Sequence, residues 1–353
     1  MTATVQKLRP DDIRRLLIIG PPGLGGAVLL IPTLRALRAA LPKAEIHWLV
    51  APADRSIAEL VPYADVLIER KGHSIFRFLS SALALRRLRF DAVIDFDHRS
   101  WTTAILAVAS GAGVRLGFYV PGQLRAKAYT EVFWKYFAQH EAQEYLGLAG
   151  MLTPIVFDPS PEIWESANGR HEAEMLGLKR TGDGPLVVLH PGCGDHGGPL
   201  EWPLPNFAVL GHWLIQKHGA QLVLTAGRND RKITADLMRL LNNQATNLGG
   251  RTSLPALVTI LKTADLVISG STGVMHLAAA LKRPQVALFG PADPRLWGPA
   301  NAKARVVTSD CPSCPSLRFG SEYHRKDPSC MARIGVEGVK AAVEASFDNG
   351  GDI

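Results

Sequence analysis

Cysteine and long apolar runs are both scarce in this sequence. Four cysteines in 353 residues are too few for a secreted scaffold built on disulfides. No window approaches the roughly 18 uncharged apolar residues that a membrane span requires, and the N-terminus shows no signal peptide. We therefore expect a cytoplasmic protein that does not cross a membrane.

The common nucleotide-binding fingerprints are also missing. The glycine-rich turn Gly20–Gly26 does not fit G-x-G-x-x-G in register, and no acidic residue closes the following strand, since Val50 precedes Ala51 and Pro52. The P-loop pattern is absent. No nucleic-acid-binding motif or basic-aromatic platform occurs either. These absences argue against an NAD-dependent dehydrogenase, a P-loop NTPase and a nucleic-acid partner.

Short apolar strands alternate with helical stretches along most of the chain. The pattern stops at the Pro- and charge-rich stretch Thr153–Gly184, which we expect to contain a linker, and restarts at Leu186. Such alternation indicates parallel sheets covered on both faces, with ligands beyond the carboxyl ends of the strands. We predict an α/β fold of two Rossmann-like domains, 1–165 and 166–335, whose sheets face a central cleft, and a final helix in 336–353 that packs across both.

One stretch, Leu266–Pro299, carries the strongest local signal. A short apolar strand passes through a Gly-Ser-Thr-Gly turn into a helix. Small residues between a strand and a helix N-terminus leave backbone N–H groups pointing outward with the helix dipole behind them, which favours phosphate. Ser271 and Thr272 add hydroxyl donors, and His276 lies one turn into the helix. The structural alternative is an ordinary capped helix, because Ser and Thr are also preferred N-cap residues.

Positive charge is concentrated in one segment. The formal net charge is +7, and residues Arg70 to Lys127 contain ten Lys or Arg against three Asp. A basic face of that kind suits an anionic substrate or an anionic membrane surface, and peripheral contact with the inner membrane is therefore among the expected interactions. The alternative is a solvated helix face, which we favour for Arg86, Arg87 and Arg89.

Four stretches in sequence order, which together span most of the chain, share one family pattern. They are residues 16–50 (LLIIGPPGLGGAVLLIPTLRALRAALPKAEIHWLV), 90–100 (FDAVIDFDHRS) with 114–118 (VRLGF), 187–210 (VVLHPGCG…EWPLPNFAVL) and 267–299 (VISGSTGVMHLAAAL…VALFGPADPRLWGP). Together they resemble family 9 glycosyltransferases, the ADP-heptose:lipopolysaccharide heptosyltransferases and their relatives. The resemblance implies a GT-B fold and inverting transfer that requires no cofactor. It also implies a nucleotide-diphosphate sugar donor (ADP-heptose first) on the C-terminal domain, and an anionic saccharide or glycolipid acceptor on the N-terminal domain.

By position, the resemblance also implies which residues hold the donor. Those at or beside the diphosphate are Gly192, Cys193, Ser271, Thr272, Gly273, Val274 and His276. Asp230 stands where the family places an acid that binds ribose hydroxyls, and Thr252 would lie near the base. N–H donors at a helix start would stabilise the charge that develops on a leaving nucleoside diphosphate.

Three positions depart from the family pattern. The first loop, with Gly23, Gly25 and Gly26, usually carries the Asp that deprotonates the acceptor, and that position here is Gly26. The family Lys two residues before the Trp of the WP pair is Leu200, and the first donor-loop residue is Ser271 rather than Asp. A nucleotide-sugar-binding relative with impaired catalysis is therefore the alternative to an active transferase.

Asp97 is our candidate replacement base, and His98 is the alternative. A general base contributes typically ~10²–10⁴-fold, and both residues follow a predicted strand of the N-terminal domain. The structural alternative for Asp97 is a cap on the next helix. Arg99, with Arg115 behind it, is the candidate for acceptor binding, or else a surface salt-bridge partner. Asp95 and Asp97 also spell D-x-D, which we discount as a metal motif because it lies in the N-terminal domain.

Three of the cysteines cluster near the C-terminal end. Cys311 and Cys314 have C-x-x-C spacing, Cys330 follows 16 residues later, and His324 lies between them. Three thiols and one imidazole are enough by count for a structural zinc site. A disulfide that staples the loop, or three thiols without a metal, are the alternatives.

Overall fold

The computed structural model describes residues 9–70, 75–180, 182–194, 200–318, 322–323 and 329–348. The chain divides into two compact units, Met1–Pro161 and Glu162–Ile353. Each unit is built on a parallel six-stranded sheet with helices packed against it. The roles predicted for the two domains, and the packing of the final helix across both, stay predictions.

The first unit begins with a buried strand that the sequence pattern predicts. Its strands are β1 (Arg15–Ile19), β2 (Glu45–Val50), β3 (Val66–Glu69), β4 (Ala92–Asp95), β5 (Val114–Tyr119) and β6 (Glu131–Trp134). Its helices are α1 (Leu24–Ala40), α2 (Arg55–Ala58), α3 (Ile75–Leu88), α4 (Trp101–Ala109) and α5 (Glu141–Gly150). The strand order is β3-β2-β1-β4-β5-β6, and every neighbouring pair is parallel. Strands β1 and β4 read as continuous apolar runs because helices cover both faces of such a sheet.

The second unit repeats the same architecture. Its sheet strands are β7 (Leu186–His190), β8 (Gln221–Leu224), β9 (Thr246–Asn247), β10 (Leu266–Gly270), β11 (Gln285–Phe289) and β12 (Ala304–Thr308), and a short antiparallel pair is formed by β13 (Leu317–Arg318) and β14 (Glu322–Tyr323). Its helices are α6 (Ala167–Met175), α7 (Leu204–His218), α8 (Arg231–Leu240), α9 (Leu254–Thr263), α10 (Gly273–Ala280), α11 (Pro294–Trp297) and α12 (Val336–Asp348). The strand order is β12-β11-β10-β7-β8-β9, again parallel throughout.

Each sheet reverses its winding direction at one point. In the first unit the chain winds outward from β1 through β2 and β3, then returns to the other side of β1 with β4. In the second unit it winds from β7 through β8 and β9, then returns beside β7 with β10. Ligands of open α/β sheets bind at the carboxyl ends of the two strands that flank such a switch point. The fold therefore directs attention to the loops after β1 and β4, and after β7 and β10.

Helix α6 occupies the stretch that the sequence suggested would contain a linker. The Ser166 Oγ caps it by accepting the N–H of Gly169, and the helix packs against α9. An ideal Cβ on Gly169 would lie 2.5 Å from the carbonyl oxygen of Pro255, so glycine permits this close approach. Its polar, glycine-containing sequence concealed it, and β6, β12 and α5 were also not predicted.

The final helix completes the core of the second unit. Val339 and Val343 on α12 are buried in one cluster with strands of this sheet, and α12 packs against β11, β12 and α7. None of the helices in the described part of the chain combines the length and apolarity that a membrane crossing requires.

Candidate functional site

The carboxyl edge of the second sheet is formed by loops with small residues. Pro191–Gly194 follows β7, Thr225–Asp230 follows β8, and Ser271–Gly273 joins β10 to α10. Strand β7 lies between β8 and β10 in the sheet, so these three loops leave the sheet side by side. The sequence predicted donor-binding residues in all three.

The first two of these loops are in direct contact. The Oδ2 atom of Asp230 accepts the N–H of Gly194 at 2.9 Å. An ideal Cβ on Gly192 would lie only 2.4 Å from the same oxygen, so the close approach depends on glycine at position 192. Asp230 is buried. The structure thus brings the predicted residues Gly192 and Asp230 together.

Cys193 connects the first loop to the start of the segment before α7. Its thiol donates to the carbonyl oxygen of Leu200 at 3.1 Å, and an ideal Cβ on Gly270 would lie 3.2 Å from that oxygen and 3.6 Å from the Cys193 sulfur. Burial, with the carboxylates of Glu201 and Asp230 nearby, raises the pKa of the Cys193 thiol far above its ordinary value. Cys193 is therefore a neutral, packed residue at the switch point rather than a nucleophile.

The loop between β10 and α10 presents backbone and hydroxyl groups at the same edge. Thr272 is the N-cap of α10, but its side chain makes no capping hydrogen bond. Its Oγ1 is buried and has no hydrogen-bond partner within the described part of the chain. A buried hydroxyl without a partner costs free energy, and the start of a helix favours an anion. Val274 and His276 are buried just behind this turn.

The remaining predicted donor residue, Thr252, lies farther along the edge. It follows Gly250, whose N–H donates to the carbonyl oxygen of Ala226 after β8. Between these loops, His190 ends β7 and its Nδ1 lies 3.0 Å from the Thr225 hydroxyl. Burial lowers the pKa of His190 to about 4. The imidazole is therefore neutral and structural at physiological pH.

The glycine-rich turn of the first unit lies at the corresponding switch point. Gly23 is the N-cap of α1 with a φ of 88°, a left-handed conformation that favours glycine. Gly25 and Gly26 form the first turn of the helix, which contains no acidic residue. An ideal Cβ on Gly26 would lie 3.1 Å from Cγ of Pro21, so a small shift of that ring would accommodate a side chain.

A carboxylate that the sequence analysis overlooked reaches this turn from the loop after β2. The Oδ2 atom of Asp54 accepts the N–H of Gly23 at 2.9 Å, and Asp54 is buried. Burial raises the pKa of Asp54, while the Gly23 N–H and Arg70 act in the opposite direction. The sequence search looked for an acid directly after Val50, whereas the structure supplies one four residues later.

Asp97, His98 and Arg99 follow β4, beside the glycine-rich turn. Asp97 is buried, and its Oδ1 accepts the N–H groups of Arg99 at 2.9 Å and Ser100 at 3.1 Å. It therefore fixes the turn that leads into α4, but it is not the helix cap that the structural alternative proposed, because the N-cap is Ser100. His98 is buried and Arg99 is exposed.

A buried ionic network lies behind His98. The Lys135 ammonium donates to Oε2 of Glu141 at 2.8 Å, with its side chain completely buried, and it lies 4.4 Å from the ring centroid of Phe118. Oε1 of Glu141 lies 3.9 Å from Nδ1 of His98. Sequence reasoning missed this network because His98 is about 40 residues away from Lys135 and Glu141 and lies on a different element.

The first aspartate of the D-x-D pattern is occupied by internal partners. Oδ2 of Asp95 accepts hydrogen bonds from Arg125 at 2.9 Å and from the Tyr129 hydroxyl at 2.7 Å. All three side chains are buried. Burial raises the pKa of Asp95 to about 7, although the Arg125 guanidinium opposes the shift. Half-buried Arg115 donates to the carbonyl oxygens of Ala112 and Ala128 and forms no salt bridge with the residues that the structure describes.

The cysteines predicted to cluster do so, and none forms a disulfide. Cys311, Cys314 and Cys330 place their sulfur atoms within 4.8 Å of one another, an arrangement that could hold a metal ion. The fourth predicted ligand, His324, lies outside the described residues. The fourth cysteine, Cys193, belongs to the loop after β7.

Comparison with known proteins identifies relatives along most of the chain. Residues 79–326 match the model of glycosyltransferase family 9 (heptosyltransferase). Lipopolysaccharide heptosyltransferase 2 of Escherichia coli K12 is 26% identical over 313 residues, which cover 83% of this chain and 87% of that protein.

Two solved structures share the fold. The ADP-heptose lipopolysaccharide heptosyltransferase II of Escherichia coli has a TM-score of 0.76 at 23% identity and covers 95% of this chain and 99% of its own. A second Escherichia coli heptosyltransferase, solved with ADP, has a TM-score of 0.70 at 21% identity, with coverage of 94% and 99%. The predicted α/β fold class and the predicted family are both confirmed. The chain therefore belongs to glycosyltransferase family 9 (heptosyltransferase) and is a glycosyltransferase.

Proposed function

We propose that this glycosyltransferase moves a sugar from a nucleoside diphosphate donor, ADP-heptose first, to a lipopolysaccharide-type saccharide acceptor, with inversion. Membership of family 9 supports the reaction class. The relatives support the substrates, since they are named lipopolysaccharide heptosyltransferases and one was solved with ADP. These same relatives favour an active transferase over a binding protein with impaired catalysis.

The observation that carries the donor proposal is the turn between β10 and α10. It combines a helix N-terminus, whose first backbone N–H groups have no partner within the helix, with the buried Thr272 hydroxyl, which has no hydrogen-bond partner among the described residues. A donor phosphate oxygen would satisfy that hydroxyl and would gain from the helix dipole. Asp230, fixed by the N–H of Gly194, would accept ribose hydroxyls one loop away.

Acceptor activation is assigned to the loop after β4. Asp97 would take the proton from the acceptor hydroxyl, with His98 as the alternative base. Asp97 is held in one orientation by two backbone N–H groups, and His98 is backed by Glu141. Arg99, exposed beside them, would bind an anionic group of the acceptor. Pre-fixed side chains of this kind lower the barrier by positioning.

One face of the first unit suits the membrane in which a glycolipid acceptor resides. Helices α3 and α4 pack together and expose large apolar side chains at helical spacing: Phe76, Leu79 and Leu83 on α3, and Trp101, Ile105 and Val108 on α4. Phe76 is 79% exposed. Exposed Arg77, Arg86 and Arg87 lie on the same helix α3, and beside these apolar side chains a membrane surface replaces the merely solvated face that the sequence favoured for Arg86 and Arg87. Exposed apolar side chains next to arginines are typical of helices that bind to the surface of anionic bilayers. We therefore propose that this face binds the cytoplasmic surface of the inner membrane.

The transfer chemistry in this proposal uses no metal ion. The charge on the leaving diphosphate would be balanced by N–H and hydroxyl donors at the helix start. A zinc ion at Cys311, Cys314 and Cys330, the group with metal-ligand spacing among the described residues, would serve structure and not the reaction.

The test measures nucleoside diphosphate release with ADP-, GDP- and UDP-sugars and a bacterial glycolipid extract. We expect turnover with ADP-heptose. Asp97→Asn should lower kcat by about 10²–10⁴-fold, the usual contribution of a general base, with an unchanged donor Kd. The amide oxygen of asparagine can still accept the N–H groups of Arg99 and Ser100, so the turn is retained.

Asp91→Asn is the matched control. Oδ2 of Asp91 also accepts two backbone N–H groups, from Arg14 and Arg15, but at the amino end of the sheet, and its loss should leave kcat unchanged. Gly26→Asp, for which the structure has nearly enough room, is assayed in parallel. If the natural chain and Gly26→Asp both fail to turn over any donor while a nucleotide binds, the proposed reaction is wrong. If only Gly26→Asp turns over, the assignment of the base to Asp97 is wrong.

A further inference from the structure

Three sulfur atoms meet at the end of the second unit. Sγ of Cys330 lies 2.9 Å from Sγ of Cys314 and 3.1 Å from Sγ of Cys311. Cys311 and Cys330 are buried, and Cys314 is half-buried. Cys311 and Cys314 are joined by a tight turn in which the N–H of Cys314 donates to the carbonyl oxygen of Cys311 at 2.9 Å. The three thiols therefore converge on one point from two separate segments.

The symmetry of this arrangement decides between a disulfide and a metal ion. Cys330 is nearly equidistant from its two neighbours, so neither disulfide pairing is preferred by the geometry. Any of the three possible pairings, Cys311 with Cys314 included, would draw two sulfurs to about 2.05 Å and leave the third thiol beside them. A thiophilic cation engages all three sulfurs at once, and C-x-x-C followed by a distant cysteine is a usual ligand spacing for such an ion.

We propose that Cys311, Cys314 and Cys330 bind one thiophilic divalent metal ion, zinc or iron, through their three sulfur atoms. Metal–sulfur bonds of about 2.3 Å in tetrahedral geometry separate sulfurs by about 3.8 Å, so the cluster needs to open by less than about 1 Å. Binding releases the three thiol protons to solvent as the thiolates form. This site does not depend on the glycosyl transfer proposed above.

The position of the site explains what the ion does. The Ser309 hydroxyl donates to the carbonyl oxygen of Cys330 at 2.6 Å, and the Ser309 N–H donates to that of Phe289 at the end of β11. Directly after Cys330, Met331 and Ile334 are buried in the core of the second unit. The ion would thus join the segment after β12 to the segment before α12 and hold the latter against the sheet. The free energy of metal binding would then contribute to the free energy of folding.

The first experiment measures the metal content of the full-length protein, purified without chelator, by inductively coupled plasma mass spectrometry. We expect about one zinc or iron per chain, with a visible thiolate absorption only for iron. Cys330→Ser and Cys314→Ser should each lower the metal content at least tenfold, whereas the control Cys193→Ser should retain it. Removal of the ion with a strong chelator should lower the thermal midpoint of the natural protein.

Two further measurements keep the proposal testable if a serine variant fails to fold. Cobalt(II) added to the chelated natural protein should produce thiolate-to-metal charge-transfer absorption that saturates at one equivalent. A thiol assay in denaturant without reductant should find all four thiols of the chelated chain. Folded protein that takes up no zinc, iron or cobalt would overturn the proposal, and so would the loss of two thiols to a disulfide.

Discussion

The carboxyl edges of the two sheets have the same topology but different chemistry. In the second unit the switch point is lined by glycines, a hydroxyl and the neutral His190, with Asp230 held by backbone N–H. In the first unit the residues at and behind the switch point form buried ionic contacts, Asp95 with Arg125 and Glu141 with Lys135. The two edges therefore differ in what they expose: one presents backbone and neutral groups, as the proposed donor site requires, and the other holds charged side chains in place.

The largest effect should come from breaking the buried ion pair of the first unit. Arg125→Met leaves the fully buried Asp95 without its cation, and removal of one partner of such a pair costs about 3–5 kcal/mol. Urea unfolding measures this loss. The control Arg115→Met removes hydrogen bonds to carbonyl oxygens only, so it should cost about 1 kcal/mol per bond lost. Equal decreases in the free energy of unfolding of the two variants would contradict a special contribution of the ion pair to stability.

The next effect separates the two units by pH. His190 has its pKa lowered to about 4 in the folded protein, so the unfolded chain binds a proton at this residue more readily. The stability of the second unit should therefore fall by roughly 3 kcal/mol as pH drops from about 6.5 toward 4. Asp95 has its pKa raised to about 7, so its contribution to the first unit should fall as pH rises from about 4 to 7. Hydrogen exchange of peptides from β7 and β4 reads the two units separately.

Single substitutions test whether His190 and Asp95 cause these two pH dependences. His190→Gln should remove the loss of protection at low pH in the β7 peptide and leave the β4 peptide unchanged. Asp95→Asn should remove the loss of protection at rising pH in the β4 peptide and leave the β7 peptide unchanged. If both peptides follow the same pH profile in the natural protein and in the two variants, the buried groups do not control it.

The smallest effect tests the donor turn most directly. Thr272→Val removes a buried hydroxyl that has no hydrogen-bond partner among the described residues, so the free energy of unfolding should stay the same or rise. The ADP-heptose Kd should rise about two- to tenfold, the value of one hydrogen bond, in isothermal titration calorimetry. Thr259→Val is the control, because its buried Oγ1 also has no such partner but lies on α9. Weaker donor binding in both variants, or in neither, would contradict the role of Thr272.

The loops at the carboxyl edge of the second sheet, where the donor is proposed to bind, were largely predictable from sequence because their signals are local. The turn at 270–273 lies between an apolar strand and an apolar helix, and small residues there have few structural explanations. Gly192, Cys193 and Asp230 were located by family resemblance, and the switch point explains why loops far apart in sequence meet. The contacts that join these loops, such as Gly192 with Asp230 and Cys193 with Leu200, needed coordinates.

The first unit was harder to predict because its contacts join distant residues. The structural alternative for Asp97, a cap on α4, was wrong, since Asp97 fixes the turn before the helix and Ser100 caps it. The partners of Asp95, about 30 residues away at Arg125 and Tyr129, leave no periodic pattern in the sequence. Asp54 was missed for the same reason, because a side chain that reaches back to a loop has no fixed spacing.

The contact between positions 192 and 230 makes the sequences of the loops after β7 and β8 depend on each other. Any side chain larger than hydrogen at 192 collides with the carboxylate of Asp230, and a residue at 230 without a side-chain acceptor cannot hold the N–H of Gly194. Such a substitution at either position therefore breaks the contact between the two loops unless the other position changes with it. In recombination between related genes, crossovers between β7 and β8 would therefore be selected against unless both parents carry the same glycine and aspartate.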